Sequence, residues 1–447
     1  MKTTNLKDLH QLIKEVKEAQ EIYSTFTQEQ VDKIFKAVAL AASENSLLLA
    51  EEAVKETKMG IIEDKVIKNK FSSDFIYNIF KDEKTCGVIY NSPDHKTIKI
   101  ADPMGVICAI IPTTNPTSTA IFKALLALKT RNGIIFSPHP KAKNCTDHAS
   151  KIMLEAAIKA GAPKNIIGWI DEPSMELSHE IMTHKDIALI LATGGPSMVK
   201  AAYSSGTPAI GVGSGNVPVI IDESADIQKS IEQIFASKTF DNGVVCASEQ
   251  AVIALDKVYS KIKEEIKLLG GYILNDKEKD QVAKVLFIDG NLNAKIVGQS
   301  ASHIAQMAGF KVPENTKVLV GEGDFVTPGN VFAHEKLSPV LGLFKASTFE
   351  NAIEQASLML EIGGMGHTSG LHIDQYAHQD KVEYFSKKMK TGRILINMPT
   401  THGAIGYLEE FEIAPSMTLG CGSWGKNSVS ENVEPKHLLN IKTIAIN

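Results

Sequence analysis

Val106-Ile107-Cys108-Ala109-Ile110-Ile111 is an unbroken apolar run of strand length. Pro112-Thr113-Thr114-Asn115-Pro116 ends it before an apolar helical stretch, Thr117–Lys129. A strand with one wet face alternates apolar and polar residues, so a strand without alternation is covered on both faces. The pattern recurs at Gly133–Phe136, Ile166–Ile170, Ile187–Leu191 and Ala209–Val212. Helix candidates lie between these runs at Cys145–Ala160, Ser174–His184 and Pro196–Ser205. Buried strands separated by helices predict a parallel sheet, here a doubly wound, Rossmann-type nucleotide-binding unit.

A second α/β alternation starts at Val217–Ile221 and continues to about Gly422, with helix Ile227–Ser237, strand Gln250–Ala254 and helix Lys257–Leu269. The first 85 or so residues read as helices. Leu6, Leu9, Ile13 and Val16 form one apolar stripe, and Thr27-Gln28-Glu29-Gln30 has the form of a capping box. Gly87–Tyr90 and Lys96–Ile100 read as a ribbon around the turn residues Asn91–Asp94. Leu438–Ala445 reads as a last strand.

The chain has 447 residues, with 47 Lys plus Arg against 52 Asp plus Glu, so 47 − 52 gives a net charge of −5. The charge is mixed along the chain, which excludes a nucleic-acid surface held by bulk positive charge. With 43% apolar and 22% charged residues the composition is that of a soluble globular protein, not a disordered or fibrous one. Five cysteines are too few for a disulfide scaffold. The apolar runs fall far short of the ~20 residues of a membrane span. The start, Met1–Leu6, lacks the apolar core of a signal peptide. These readings predict a cytoplasmic protein with no membrane partner.

Candidate chemistry is unevenly distributed. The fingerprint G-x-G-x-x-G is absent at a strand-to-helix turn, and Gly211-Val212-Gly213-Ser214-Gly215 leads into a strand. Thr193-Gly194-Gly195-Pro196 follows a strand and opens a helix, where free N–H groups suit an anion; a plain tight connection is the alternative. Among the thiols, Cys108 reads as inert core and Cys86 starts a strand. Cys145 reads as lying on a surface helix whose dipole lowers its pKa, and Cys421 as lying in a mobile segment. Cys246, in Phe240-Asp241-Asn242-Gly243-Val244-Val245-Cys246-Ala247-Ser248, sits in a small-residue loop that can present a side chain to a cleft; a buried structural cysteine is the alternative. Asn115 offers an amide donor for an oxyanion, or simple turn chemistry. Glu335 reads by default as a solvated surface acid. His179 and His184, five residues apart, miss the spacing of a helical metal pair, and no metal is expected.

Taken together, Pro112–Ser118, Phe136–Pro140, Ala192–Pro196, Lys238–Gln250 and Leu419–Gly425 resemble the aldehyde dehydrogenase superfamily, and within it the CoA-acylating half of bacterial bifunctional aldehyde–alcohol dehydrogenases. The resemblance runs from about Leu6 to Thr443. It implies an aldehyde dehydrogenase-like α/β fold. Residues 1–85 with 103–216 would form an NAD-binding domain, and 217–425 a catalytic domain. Residues 86–102 with 426–447 would form a small β arm that joins a homodimer. It implies that Cys246 is the nucleophile and that Asn115, with the Cys246 N–H, forms the oxyanion hole. It places Thr113, His139, Thr193, Gly194, Gly195 and Gly213 against NAD, and Glu335 on the nicotinamide ribose. His367 is a further candidate without an assigned role. Coenzyme A would be a co-substrate. Acetaldehyde and acetyl-CoA are the expected pair, interconverted in fermentation.

Hydrolytic relatives carry Glu-Leu-Gly-Gly, whose Glu activates water; the corresponding stretch here is Gly211-Val212-Gly213-Ser214. Without that base an acyl-enzyme waits for a better nucleophile, such as a thiol. This ranks a hydrolytic aldehyde dehydrogenase and an acyl-phosphate reductase as alternatives. A non-catalytic structural subunit is disfavoured because Cys246 and Asn115 are both present. The bifunctional relatives continue into an iron-dependent alcohol dehydrogenase, whereas this chain ends at Asn447. It therefore reads as a standalone enzyme or an excised domain of a filament-forming protein, without alcohol formation of its own.

Overall fold

The computed structural model describes residues 2–447. Its centre is two parallel sheets. The first has five strands in the order Ile167–Trp169, Gly133–Pro138, Val106–Ile111, Ile187–Thr193 and Ala209–Val212. The central strand Val106–Ile111 and its neighbour Gly133–Pro138 are buried at every residue, the state that the apolar runs Val106–Ile111 and Gly133–Phe136 require. Helix Pro116–Lys129 is buried along its whole length, including Lys123 and Lys129. Lys123 donates to the carbonyls of Ile110 and Leu191.

The second sheet has seven parallel strands. Their order is Gly271–Ile273, Val318–Gly323, Val340–Ala346, Glu249–Leu255, Val217–Ile221, Gly366–His372 and Thr391–Ile396. The segment Gly213–Asn216 joins the two sheets directly, between strands Ala209–Val212 and Val217–Ile221. The ends of both sheets therefore come together at one place.

The N-terminal helices Leu6–Tyr23, Gln28–Glu44 and Ser46–Thr57 pack around the first sheet. The Thr27 capping box forms as its sequence predicts: Gln30 N–H donates to Thr27 Oγ1 and Thr27 N–H to Gln30 Oε1. Leu9, Ile13 and Val16 are buried, but Leu6, the first helical residue, is exposed.

A three-stranded antiparallel sheet stands apart, with Thr97–Pro103 between Gly87–Ser92 and Leu439–Ala445. The C-terminal strand predicted from Leu438–Ala445 is present. The turn overlaps the predicted Asn91–Asp94 but lies two residues later. Asn91 and Ser92 pair in the ladder, and the chain reverses over Pro93–Lys96, where Lys96 N–H bonds Pro93 O and Lys96 takes a left-handed φ of 49°. Pro93 opens the turn, a position that proline's fixed φ suits.

Two thiols depart from expectation. Cys145 is buried, because helix Lys143–Ala160 turns its first residues onto Glu56, which accepts from the Cys145 N–H. Burial and that carboxylate push its pKa up, against the lowering expected from the helix dipole. Cys421 is not in a mobile segment. It is buried, with its N–H bonded to Asn427 Oδ1, and Gly420 and Gly422 pair with Glu431 and Val429.

Candidate active site

A cleft of about 740 Å³ opens where the two sheets meet. Loops from the C-terminal ends of the first sheet's strands form one wall, the position at which such sheets bind ligands. Thr113, Asn115, His139, Thr193, Gly194, Gly195, Gly213, Cys246 and Glu335 all border it. Residues up to 222 positions apart in the chain thus line one space. His367 is not in the cleft wall; it lies directly behind it.

The glycine-rich wall suits a dinucleotide. A side chain at Gly195 or Gly213 would meet no protein atom and would project into the cleft. Gly195 caps helix Pro196–Ser204, so its terminus faces the cleft. Thr193 Oγ1 is buried without a hydrogen-bond partner. Open glycines and an orphaned hydroxyl at a helix start are a fitting cradle for a pyrophosphate-bearing cofactor.

Cys246 occupies the turn between helix Ile227–Thr239 and strand Glu249–Leu255. Buried Val245 and Ala247 anchor it on either side. Its thiol is pushed up to about 12, first by burial and then by Glu335 and Cys421, with Arg393 opposing. Gly215 crosses it closely: a Cβ there would lie 2.0 Å from Cys246 O and 3.2 Å from His367 Cε1. Gly215 N–H donates to Glu335 Oε1 at 3.0 Å.

Glu335 is therefore not a solvated surface acid. Burial raises it to about 7, against the lowering by the Gly215 N–H, Lys238 and Lys336. His367 is fully buried, with Nδ1 on Thr368 Oγ1 and Nε2 unpartnered. Burial and Arg393 hold it neutral. Arg393 itself is buried and donates to His367 O and Gly420 O, both at 2.7 Å.

The Gly211 stretch needs one correction. Gly211 does not face the cleft: a Cβ there would strike Val199 and Tyr203 at 2.8 and 2.9 Å. The residue that this strand turns to the cleft is Val212. The segment still offers no carboxylate, but the side chain standing there is apolar rather than missing.

The sequence reading did not find the polar cluster behind Asn115. Lys65 and Lys68, on helix Ile62–Lys70, both pair with Asp241 Oδ2, at 2.9 and 2.5 Å. Lys68 also reaches Asn115 Oδ1 at 2.7 Å. Asp241 and Asn242 both adopt left-handed backbone, φ 50° and 52°. Asp-Asn-Gly was a visible sign of such a turn; its lysine partners, more than 170 residues earlier, left no local trace.

A two-sheet α/β frame with Cys246 and Asn115 on one cleft between the sheets fits an aldehyde dehydrogenase. The aldehyde dehydrogenase family profile matches residues 1–279, and the chain belongs to that family. It is 60% identical over 445 residues to a bifunctional aldehyde-alcohol dehydrogenase of Escherichia coli, spanning all of this chain but 50% of that protein. It is 41% identical to a succinate-semialdehyde dehydrogenase (acetylating) of Clostridium kluyveri, covering 99% of this chain and 96% of the relative. The crystal structure of an acetylating aldehyde dehydrogenase from Geobacillus thermoglucosidasius superposes with a TM-score of 0.96 at 47% identity, over 99% of this chain and 96% of that one.

Proposed function

We propose that this chain is a nicotinamide-dependent, CoA-acylating aldehyde dehydrogenase that forms a thioester on Cys246. The observation that carries this is the shared cleft. A thiol, an amide donor and a dinucleotide cradle face one space, and the segment that supplies a water-activating carboxylate in hydrolytic relatives presents Val212. Its acylating relatives support the same reading.

Cys246 attacks the aldehyde carbonyl and the bond to sulfur forms. Asn115 Nδ2 donates to the resulting oxyanion, a contact whose loss typically costs ~100- to 1000-fold. When bound, a nicotinamide cofactor, NAD⁺ in our reading, would supply the hydride acceptor. Thr193, Gly194, Gly195 and Gly213 would hold its phosphates, Thr113 and His139 would flank it, and Glu335 would take the ribose next to the nicotinamide. The acyl group stays on Cys246 until the CoA thiol displaces it. The thiol, pushed up to about 12 by burial, gives its proton to solvent in the open cleft as the bond to carbon forms.

The aldehyde is proposed to be acetaldehyde and the arm of antiparallel strands to join a homodimer, because exposed strand edges need partners. We further read residues 1–85 with 103–216 as the cofactor domain and 217–425 as the catalytic domain. No helix of the described residues is long and apolar enough to cross a membrane, and a cytoplasmic site of action is proposed. The test is NADH release from acetaldehyde and NAD⁺. Without CoA one NADH per active site is expected, and with CoA continuous turnover. Continuous carboxylate formation without CoA refutes the proposal. The same assay with NADP⁺ checks the cofactor.

A further inference from the structure

We propose that Lys68 is a positioning residue that locks the Asn115 amide with its oxygen turned into the protein and its nitrogen left for the cleft. The inference rests on the oxyanion role given to Asn115 above.

Lys68 Nζ lies 2.7 Å from the Asn115 side chain. An ammonium group only donates, so the atom it meets is the amide oxygen. The orientation of this amide is thereby forced by chemistry. Asn115 Nδ2 then carries two N–H donors, of which one goes to Thr114 Oγ1 at 3.2 Å. The other remains for a ligand.

Asn115 also stands at the N-cap of helix Pro116–Lys129, where an asparagine oxygen ordinarily accepts from the first helical turn; here no side-chain cap bond forms. The oxygen has been claimed by Lys68 instead. Released from it, the amide can turn over and offer an acceptor to an oxyanion, which repels it. The ammonium also draws density from the carbonyl and strengthens the N–H donor, a cooperative gain of about 10–30% per bond.

Lys68 is itself fixed. Its side chain is 3% exposed. It pairs with Asp241 and lies over the Phe240 ring, 5.4 Å from its centre. Asp241 is held in turn by Lys65 and by the Ile61 N–H at 2.7 Å. Gly60 makes room for this, since a Cβ there would fall 1.9 Å from Asp241 Oδ1. Lys65 also donates to Thr114 O, fixing the residue before Asn115. One helix therefore grips both the loop bearing Asn115 and, through Asp241, the loop that leads to Cys246. Burial lowers Lys68 to about 8, with Asp241 opposing, so the group is still an ammonium at neutral pH.

The experiment is a double-mutant cycle on the single-turnover rate of NADH formation from aldehyde and NAD⁺ without CoA, which isolates acylation. NADH binding, read by fluorescence, checks that each variant is folded. Asn115→Ala is expected to slow the step ~100- to 1000-fold. Lys68→Met is expected to slow it ~10- to 100-fold, on the scale seen when a partner that orients a catalytic ligand is lost, with aldehyde KM within about threefold of wild type. The double variant should fall within about threefold of Asn115→Ala alone, because Lys68 acts only through that amide.

A wild-type rate in Lys68→Met overturns the inference. So does a double variant slower than Asn115→Ala by the full Lys68→Met factor, since Lys68 then acts elsewhere. A wild-type rate in Asn115→Ala refutes the oxyanion reading itself, a distinct outcome. Should Lys68→Met fail to fold, Lys68→Gln enters the same cycle under the same criteria.

Discussion

Cys108, in the first sheet, and Cys246, in the loop before the second, have thiols pushed up to about 12, each chiefly by burial. Their surroundings differ in what else is present. Cys108 lies mid-strand at 0% exposure, packed among Leu9, Ile13, Ile135 and Ile190. Cys246 borders a cleft that also holds the Asn115 amide, with Arg393 and His367 behind it. Equal reluctance to ionise therefore goes with very different surroundings. Access and placed donors, not resting acidity, separate a reactive thiol from a core one.

The largest effect that tests this contrast is removal of each sulfur. Cys246→Ala should cut NADH formation by about ten-thousandfold or more, the scale on which a covalent nucleophile is lost, with the melting temperature little changed. Cys108→Ser should leave turnover within about twofold and lower stability by ~1–3 kcal/mol, because a hydroxyl in the strand interior lacks a partner. In the native protein, iodoacetamide should label Cys246 and stop activity, while Cys108 is labelled only on unfolding; mass spectrometry of the peptides reads both. Fast labelling of Cys108 in the active enzyme breaks the comparison.

Next comes the donor that Cys108 lacks. Asn115→Ala should slow turnover ~100- to 1000-fold while Cys246 remains open to alkylation at close to the wild-type rate. A matching fall in alkylation would mean that Asn115 shapes the thiol rather than the oxyanion.

The two cysteines also mark what could be read in the sequence. The strand around Cys108 was legible because its signal is local: six apolar residues in a row permit little but a strand covered on both faces, and all six are buried. The loop around Cys246 was legible only as a turn followed by small residues. What aims it is distant. Asp241 takes its left-handed backbone against Asp64, Lys65 and Lys68 of a helix more than 170 residues earlier. Lys65 and Lys68 carry no signal of burial in the sequence, because burial of a charge depends on a partner that periodicity does not reveal. Glu335 was misread for the same reason, since its half-buried place against Gly215 is made by a segment of the other sheet junction. Cys421 was misread because glycines on both sides suggest freedom, whereas here they allow close pairing with Val429 and Glu431.

The smallest effect concerns Glu335, an acid beside Cys246 where Cys108 has only Lys123. Its pKa stands at about 7 when folded, raised by burial from an ordinary 4.5. Between those two values the folded chain holds a proton that the unfolded chain has released. Stability from this group is therefore highest in acid and declines as pH rises from about 4.5 to about 7. Glu335→Gln removes the decline and keeps an oxygen for the Gly215 N–H. The melting temperatures of the two proteins, compared against pH, should approach each other at low pH and separate in the variant's favour towards neutrality. The ionised carboxylate also helps hold the Cys246 thiol up, so at pH 8 the variant should be alkylated about threefold faster. Parallel melting curves with unchanged alkylation would show that Glu335 does not titrate beside the sulfur, and that burial alone accounts for both thiols.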